Sequence, residues 1–163
     1  MSKPNIIKYI SDSIIFRHYK KGDTKKIIEL HKTALIETGA YFPGPWNDDM
    51  KNIEKVYIQP GGCFVLIEKS SNLIAMGALK IINSKEAEIK RMRVETDVQR
   101  NGYGQIILDY LISFAACNKI QRLILDTTEL QIAAQEFYKK NNFIEYGHDT
   151  WNNISQILYE RKL

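Results

Sequence analysis

The chain has 163 residues, of which 44% are hydrophobic and 26% charged, and its formal net charge is +4. These values are ordinary for a soluble globular protein and leave room for one substantial core, so we expect a single domain over residues 1–163. The lysines and arginines are interleaved with acids along the chain, which argues against a nucleic-acid surface.

The N-terminal stretch Met1–Ile10 has no apolar run of the length that a signal peptide or a membrane span requires. We therefore expect a cytoplasmic protein that has no membrane partner. Cys63, Cys117 and the three dispersed histidines lack metal-site spacing, so no metal is expected. The two cysteines are interpreted as reduced, buried thiols.

Two helices follow a first strand in the N-terminal third. A β-branched and aromatic run predicts a strand over 13–19. Apolar residues at helical spacing then predict a helix with Asp23 or Thr24 as its N-cap and Gly39 at its end. A second helix is predicted over 47–57, after an aromatic loop that contains two prolines. His31, on or beside the apolar stripe of the first helix, is interpreted as a packing residue.

From Cys63 the pattern becomes that of an antiparallel meander. Strands are predicted over 63–68, 73–82 and 86–94, and tight turns connect them. The first two are apolar on both faces, as expected for a central sheet that helices cover. In the third, strict alternation gives no cleanly apolar face, so we expect this strand to border a water-accessible cleft. One face would carry Glu86, Glu88, Lys90, Met92 and Val94, and the other would carry Ala87, Ile89, Arg91 and Arg93.

The charged strand leads into a glycine loop and a helix over 105–117. A glycine loop that opens on a helix presents backbone N–H groups at the positive end of the helix dipole, which predicts an anion site. Gly102 and Gly104 would let the backbone approach a phosphate closely. The chain has neither a P-loop motif nor the third glycine of a dinucleotide-binding motif.

The last third of the chain completes a βαβ unit and adds a helix and two strands. A strand over 121–127 follows a helix of crossover length, so we expect it to run parallel to the charged strand and to form a ligand site at the strands' carboxyl ends. A helix is predicted over 131–141. Closing strands are predicted over 143–146 and 154–161, with 147–153 as the link.

Two motifs carry a family resemblance: Gln99-x-x-Gly102-x-Gly104 after the strand that begins Ala87-Glu88-Ile89, and Ala134-x-x-x-Tyr138-x-x-x-x-Phe143. The pattern resembles the GNAT superfamily of N-acetyltransferases, most specifically over residues 86–143. The resemblance implies an α/β (α+β) fold with a mixed central sheet of about six to seven strands and about four flanking helices. An antiparallel N-terminal meander would join a parallel βαβ unit that binds acetyl-CoA.

The resemblance also implies a set of acetyl-CoA contacts, made mainly by backbone. The pantetheine arm would pair with Met92, Arg93 and Val94. The pyrophosphate would bind the glycine loop, which consists of Gln99, Arg100, Asn101, Gly102, Tyr103 and Gly104. Gln131 stands where family members often have asparagine and is a further candidate contact to the pantetheine.

Acetyl transfer to an amine needs a base for the amine proton and an acid for the departing thiolate. The resemblance implies Glu88 as the base, directly or through water, and Tyr138 as the acid. Two structural roles stay open as alternatives. Glu88 could pair with a lysine or arginine on a neighbouring strand, and Tyr138 could be a core residue on the apolar stripe of its helix.

The acceptor is less defined. In the family the first helix-loop-helix region commonly lines the acceptor side, so Tyr41, Phe42 and Trp46 are candidate substrate contacts, unless they cover one end of the core. Arg91 and Arg93 suggest an acceptor that carries a carboxylate or phosphate.

We expect an N-acetyltransferase that acts on a primary amine of a small molecule or peptide by direct attack in a ternary complex. Dimers are common in the family, so a homodimer stays open. A hydroxyl acceptor, a longer acyl donor and a non-catalytic acetyl-CoA sensor or interaction module also stay open.

Overall fold

One mixed sheet organises residues 5–163, the part of the chain that the computed structural model describes. Its eight strands are β1 (Ile6–Ser11), β2 (Ile14–His18), β3 (Cys63–Lys69), β4 (Asn72–Ile81), β5 (Glu86–Val94), β6 (Arg122–Thr128), β7 (Ile144–Trp151) and β8 (Ile154–Lys162). The α-helices are α1 (Thr24–Ile36), α2 (Tyr103–Cys117) and α3 (Ile132–Lys140). The order across the sheet is β1-β2-β3-β4-β5-β6-β8-β7, and only the β5/β6 pair is parallel. The predicted mixed sheet with a parallel βαβ unit is confirmed.

The sheet has one strand more than the prediction. The additional strand, β1, lies at the sheet edge and pairs antiparallel with β2 through irregular register. It forms from the second half of the Met1–Ile10 stretch and the residue that follows it. Residues 1–4 of that stretch lie outside the described residues.

The predicted second helix is two short helices of other types. A 3-10 helix spans Pro45–Lys51 and a π-helix spans Glu54–Ile58. Between them Asn52 takes φ −128° and ψ 38°, which is not a helical conformation, so one continuous α-helix cannot form. A further 3-10 turn, Thr96–Val98, follows β5.

The link predicted over 147–153 is mostly strand. β7 continues to Trp151, which pairs with Ile154 of β8. Only Asn152 and Asn153 remain as the turn, and both have positive φ, 49° and 60°. Positive φ at both central residues is the geometry of a two-residue type I′ hairpin, in which asparagine is favoured.

The sheet separates two hydrophobic cores. On one face α2 and α3 pack against the strands, with Ile107, Leu111 and Tyr138 among the buried residues. On the other face α1 and the two short helices pack, with Ile27 and Met50 fully covered. The central strands β3 and β4 contribute side chains to both cores.

Asp23 is the N-cap residue of α1, as predicted, but its carboxylate makes no capping bond. Arg17 Nη1 and Nη2 donate to it at 2.7 and 3.0 Å, and Arg17 Nη2 also donates to Glu68 at 2.6 Å. The buried guanidinium thus connects β2, β3 and the start of α1.

Cys63 is buried in β3, whereas Cys117 is exposed at the last turn of α2. The interpretation of both as buried thiols is therefore wrong for Cys117. Among residues 5–163, no helix combines the length and apolar character needed to cross a membrane.

Candidate functional site

The parallel strands β5 and β6 pair over only three residues each. The paired residues extend from Glu86, opposite Arg122, to Glu88, opposite Ile124. Past these partners a cavity of about 300 Å³ is lined by 89–93 of β5 and 126–128 of β6. The predicted cleft beside the charged strand is therefore confirmed, and it lies at the carboxyl ends of the parallel pair.

A bulge in β5 shapes the cavity. Ala78 pairs with Lys90 and Met76 with Arg93, so one residue of β4 stands opposite two of β5. Arg91, in the bulge, has φ 59°, a left-handed conformation that is unusual for a residue with a side chain. The bulge shifts every later side chain of β5 to the opposite face.

The predicted strict alternation along β5 is therefore wrong after Lys90. Met92 and Val94 pack with the core on the α2 face, together with Ala87 and Ile89. Arg93 pairs with Met76, which belongs to the α1-side core. The bulge thus turns the cationic side chains of β5 toward the α1 side and its apolar ones toward α2.

The glycine loop runs into α2 through left-handed backbone. Gly102 is the N-cap with φ 83°, and Arg100 has φ 64°. The first hydrogen bond of α2 runs from Ile106 N–H to the Gly102 carbonyl at 3.0 Å. The preceding amides, those of Tyr103, Gly104 and Gln105, therefore have no intrahelical acceptor. This arrangement fits the predicted anion site, since these donors point out of the positive end of the helix.

Side chains of the loop hold its backbone. Gln99 Nε2 donates to the Val94 carbonyl at 3.2 Å, and Asn101 Nδ2 donates to the Val98 carbonyl at 3.0 Å. The side chain of Arg100 is exposed. Gln99 and Asn101 thus fix the conformation of the loop, whose free polar groups are the backbone amides at the start of α2 and the Arg100 side chain.

Tyr138 lines the cavity from α3 and is 6% exposed. Its ring packs edge-on against Phe143 at 5.7 Å between centroids. Burial raises the pKa of Tyr138 above its usual value, although the positive charge of Arg93 opposes the shift. The phenol therefore keeps its proton at neutral pH and can act as a donor.

Gln131 also lines the cavity, as the N-cap residue of α3. Its Oε1 accepts from the Thr128 amide at 3.3 Å, which fixes the turn between β6 and α3. Within residues 5–163 its Nε2 makes no hydrogen bond.

Glu88, the predicted base, forms an ion pair with Lys90 at 3.2 Å between Oε1 and Nζ. Lys90 lines the cavity, whereas Glu88 does not. Glu88 therefore forms an ion pair, as the structural alternative proposed. Its partner lies two residues along the same strand and not on a neighbouring strand. The role of Glu88 as a base stays a prediction.

The cavity is closed on the other side by what we call the α1 wall, which consists of His31, Phe42, Trp46, Asn47 and Trp151. The rings of Phe42 and Trp46 meet Trp151 edge-on, at 5.4 and 5.0 Å between centroids. Tyr41 does not line the cavity but packs against His31. Two of the three aromatic candidates thus border the cavity.

Sequence reasoning missed Trp151 and His31 as cavity residues. The pair Asn152-Asn153 could have revealed the tight hairpin that carries Trp151 to the cavity. His31 gave no such signal, because its helix position alone is that of a packing residue. Burial, with the positive charges of Arg93 and Arg91, lowers the pKa of His31 to about 3, so its imidazole is neutral.

Arg91, a predicted acceptor contact, is bonded to the loop that carries the α1 wall. Its Nε donates to Asp49 Oδ2 at 2.9 Å, and its Nη2 to the other oxygen of that carboxylate and to the Trp46 carbonyl. Its Nη1 donates to Asn47 Oδ1 at 3.1 Å. An acceptor would have to compete with these bonds for the guanidinium.

Asp49 is also the acceptor of a hydrogen bond from Tyr57. Its burial favours the neutral acid, but the hydrogen bond and charge of Arg91 outweigh burial and hold the pKa of Asp49 below its usual value. The carboxylate is therefore ionised and anchors both β5 and the π-helix.

Arg93 is bonded differently. Its Nη1 donates to the Met92 carbonyl at 2.5 Å, and its buried Nε has no partner within residues 5–163. Burial, with the charge of Arg91, lowers the pKa of Arg93 to about 10, so it remains a cation at neutral pH. The predicted contact of this residue with a cofactor concerns its backbone, and its side chain faces the cavity.

The sequence matches a known family and a set of curated proteins. The model of the Acetyltransferase (GNAT) family matches residues 30–143. The chain is similar to N-acetylaspartate synthetase of Xenopus tropicalis, with 28% identity over 143 residues that cover 85% of this chain and 49% of that protein. It spans about half the length of the curated relatives it matches.

Solved structures share the fold. An acetyltransferase from Streptococcus agalactiae superposes with a TM-score of 0.86 at 20% identity, covering 94% of this chain and all of that one. The PaiA N-acetyltransferase from Thermoplasma acidophilum in complex with coenzyme A gives a TM-score of 0.74 at 20% identity, covering 93% of this chain and 99% of that one. At such identities the likeness concerns the fold alone.

Proposed function

Because this chain belongs to the acetyltransferase (GNAT) family, we propose that it is an acetyl-CoA-dependent N-acetyltransferase acting on a primary amine of a small molecule or peptide. The cavity extends from α3 to α1, which supports the simultaneous binding of two substrates and direct attack of the amine. Neither Cys63 nor Cys117 lines the cavity, so a covalent route through a cysteine has no support.

The observation that carries the proposal is the unpaired edge of β5 beside the start of α2. Pairing with β6 ends at Glu88, so residues 92–94 have no strand beside them on this edge, where an extended, amide-containing chain such as pantetheine could pair. The Met92 and Val94 carbonyls accept one side-chain hydrogen bond each, from Arg93 and Gln99, and keep a second lone pair. The free amides at the start of α2 suit the pyrophosphate, and the Nε2 of Gln131 suits a pantetheine carbonyl. Acetyl-CoA therefore fits the groups present, and it supplies an activated acetyl group as a thioester.

Two side chains are assigned to proton transfer. Glu88 takes the amine proton through a water molecule, since the carboxylate does not line the cavity. The amine nitrogen then forms the new bond to the acetyl carbon, and the carbon–sulfur bond breaks. Tyr138 gives its proton to the departing thiolate, as its buried phenol remains protonated.

The donor site is tested by calorimetric titration of acetyl-CoA into the wild type, Gly104→Ala and Gly104→Glu. A Cβ at Gly104 would lie 3.5 Å from Val94 Cγ2, an ordinary contact, so Gly104→Ala should fold as the wild type does and serves as the control for folding. A glutamate brings bulk and negative charge beside the free amides and should abolish binding. Failure of the wild type to bind acetyl-CoA, or unchanged binding by Gly104→Glu, would contradict the proposed site.

One observation favours a second candidate, a non-catalytic acetyl-CoA-binding module. The ion pair with Lys90 occupies the carboxylate of Glu88 that turnover needs. Thiol release from acetyl-CoA across a panel of amines separates the two candidates. Turnover with any amine supports the enzyme, whereas binding without thiol release supports the module.

We further propose that residues 1–163 are one N-acetyltransferase domain. All strands of the described residues, 5–163, join a single sheet that has a core on each face. Both cores depend on the same central strands, which supports one folding unit.

A further inference from the structure

Unpartnered polar atoms cluster around the cavity. Among residues 5–163, four buried side-chain nitrogen or oxygen atoms have no hydrogen-bond partner: His31 Nδ1, Arg93 Nε, Thr127 Oγ1 and Tyr159 Oη. The first three belong to residues that line the cavity. A buried polar group without a partner is costly and rare in folded proteins, so the three atoms at the cavity are open to partners from a ligand or from ordered water.

Arg91 and Arg93 differ in what the Nε and Nη2 edge of the guanidinium contacts. Arg91 uses its Nε and Nη2 together on the carboxylate of Asp49. Arg93 engages Nη1 with a backbone carbonyl, which leaves its Nε and Nη2 edge without a protein partner among residues 5–163. This edge carries two parallel N–H groups and matches a carboxylate in bidentate geometry.

We propose that the amine acceptor carries a carboxylate, which binds the free Nε and Nη2 edge of Arg93 beside His31. The inference rests on the proposed acetyltransferase function and narrows its substrate class. It also gives the two arginines different roles: Arg93 binds the substrate, whereas Arg91 positions the α1 wall through Asp49.

The charges around the cavity support an anionic ligand. Lys90, Arg91 and Arg93 line it, against a single carboxylate, that of Asp126. Lys90 is paired with Glu88 and Arg91 with Asp49, so Arg93 is the cation among these three that has no carboxylate partner within residues 5–163. His31 is 4% exposed and neutral, so it adds a hydrogen bond beside the guanidinium without adding charge.

The rest of the α1 wall is aromatic. Phe42, Trp46 and Trp151 form a continuous group of edge-on rings. Because these rings line the same cavity as Arg93, they suit an acceptor whose side chain is apolar. An α-amino acid has all three elements, namely an amine, an adjacent carboxylate and a side chain.

The experiment compares kcat/KM for matched pairs of acceptors in the wild type, Arg93→Lys and Arg93→Gln. Each of phenylalanine, leucine and aspartate is paired with the corresponding α-carboxamide, which keeps the amine and side chain but not the charge. In the wild type the acids should be preferred by about 10- to 100-fold, the range for hydrogen bonds to a charged group. Arg93→Gln should remove the preference, so that kcat/KM for each acid falls to that of its α-carboxamide, and Arg93→Lys should keep part of the preference because the charge remains.

Acetyl-CoA titration of each variant distinguishes failure of this inference from failure of the proposed function. If acetyl-CoA binds and the amides are acetylated as well as the acids, the inference is overturned while the proposed function stands. Turnover of none of the acids, or a preference for phosphoethanolamine over every acid, also overturns it. If the wild type neither binds acetyl-CoA nor acetylates any amine, the proposed function fails and the inference fails with it.

Discussion

The two sides of the cavity are built from different parts of the chain. The glycine loop and the free edge of β5 come from one continuous stretch, 89–105, and offer mainly backbone groups. The α1 wall combines side chains from α1, the 42–47 loop and the β7/β8 hairpin. The first therefore depends on local conformation, whereas the second depends on how distant segments pack.

The contrast in construction predicts a contrast in substrate recognition. A backbone site recognises a shared substrate feature and tolerates many side chains. A wall of side chains from separate segments can change its specificity while the fold and the donor site remain. We therefore expect substitutions on the α1 wall to alter the acceptor and to spare acetyl-CoA.

The largest expected effect comes from Tyr138→Phe, which removes a proton donor and keeps the ring. Turnover should fall by about 10²- to 10⁴-fold, the usual contribution of a positioned acid, while acetyl-CoA binds normally. Steady-state rates and calorimetry measure the two effects separately. Glu88→Gln should likewise lower kcat with binding intact, and unchanged kcat in either variant would remove that side chain from the mechanism.

A smaller effect is expected from breaking the ion pair between Asp49 and Arg91, which positions the α1 wall. Asp49→Ala leaves the buried guanidinium of Arg91 unpaired, and breaking such a pair lowers the free energy of unfolding by about 3 kcal/mol. Chemical denaturation at pH 7 measures it. The double variant Asp49→Leu with Arg91→Met removes both charges and should recover part of the loss, whereas no recovery would mean that another interaction dominates.

The same ion pair makes the free energy of unfolding depend on pH, and the pKa of Asp49 determines the sign of that dependence. The pKa of Asp49 is held below its unfolded value of about 3.9, so the ion pair contributes its full stability above that pH. The contribution is lost as pH falls through the lower pKa of the folded state. The stability gap between wild type and Asp49→Ala should therefore be constant near neutrality and narrow in acid below about pH 4.

The smallest effect is expected from Trp151→Leu. The Trp151 ring lines the cavity, and loss of an aromatic contact with an apolar acceptor costs about 0.5–1.5 kcal/mol, so KM for that acceptor should rise by up to roughly tenfold. Acetyl-CoA binding should not change. Tyr9→Leu, on an exposed residue of the edge strand β1, is the matched control, and an equal rise in KM there would argue against a local effect.

What the sequence predicted well was local. The glycine loop, the crossover helix and α3 each follow from spacing within one stretch, and the helix bounds agree within about two residues. Asn142, two residues after α3, has φ 64°, the left-handed conformation that commonly terminates a helix and that asparagine tolerates. Neighbouring residues determine such features.

What the sequence did not predict depends on contacts across the fold. The bulge at Arg91 places a bulky residue in left-handed backbone, where it is held by hydrogen bonds to Asp49, Asn47 and the Trp46 carbonyl, 42 to 45 residues away. His31 differs from an ordinary packing residue only through the two arginines beside it. Strict alternation along β5 therefore failed because tertiary contacts override the local pattern at the bulge.

The hairpin that carries Trp151 has an experimental consequence. The chain contains two tryptophans, and their rings lie 5.0 Å apart at the cavity. All tryptophan fluorescence of the protein therefore originates from one point, the wall against which an acceptor would lie. The unlabelled protein thus contains its own optical probe, and changes in its emission during a titration would report local events at that wall.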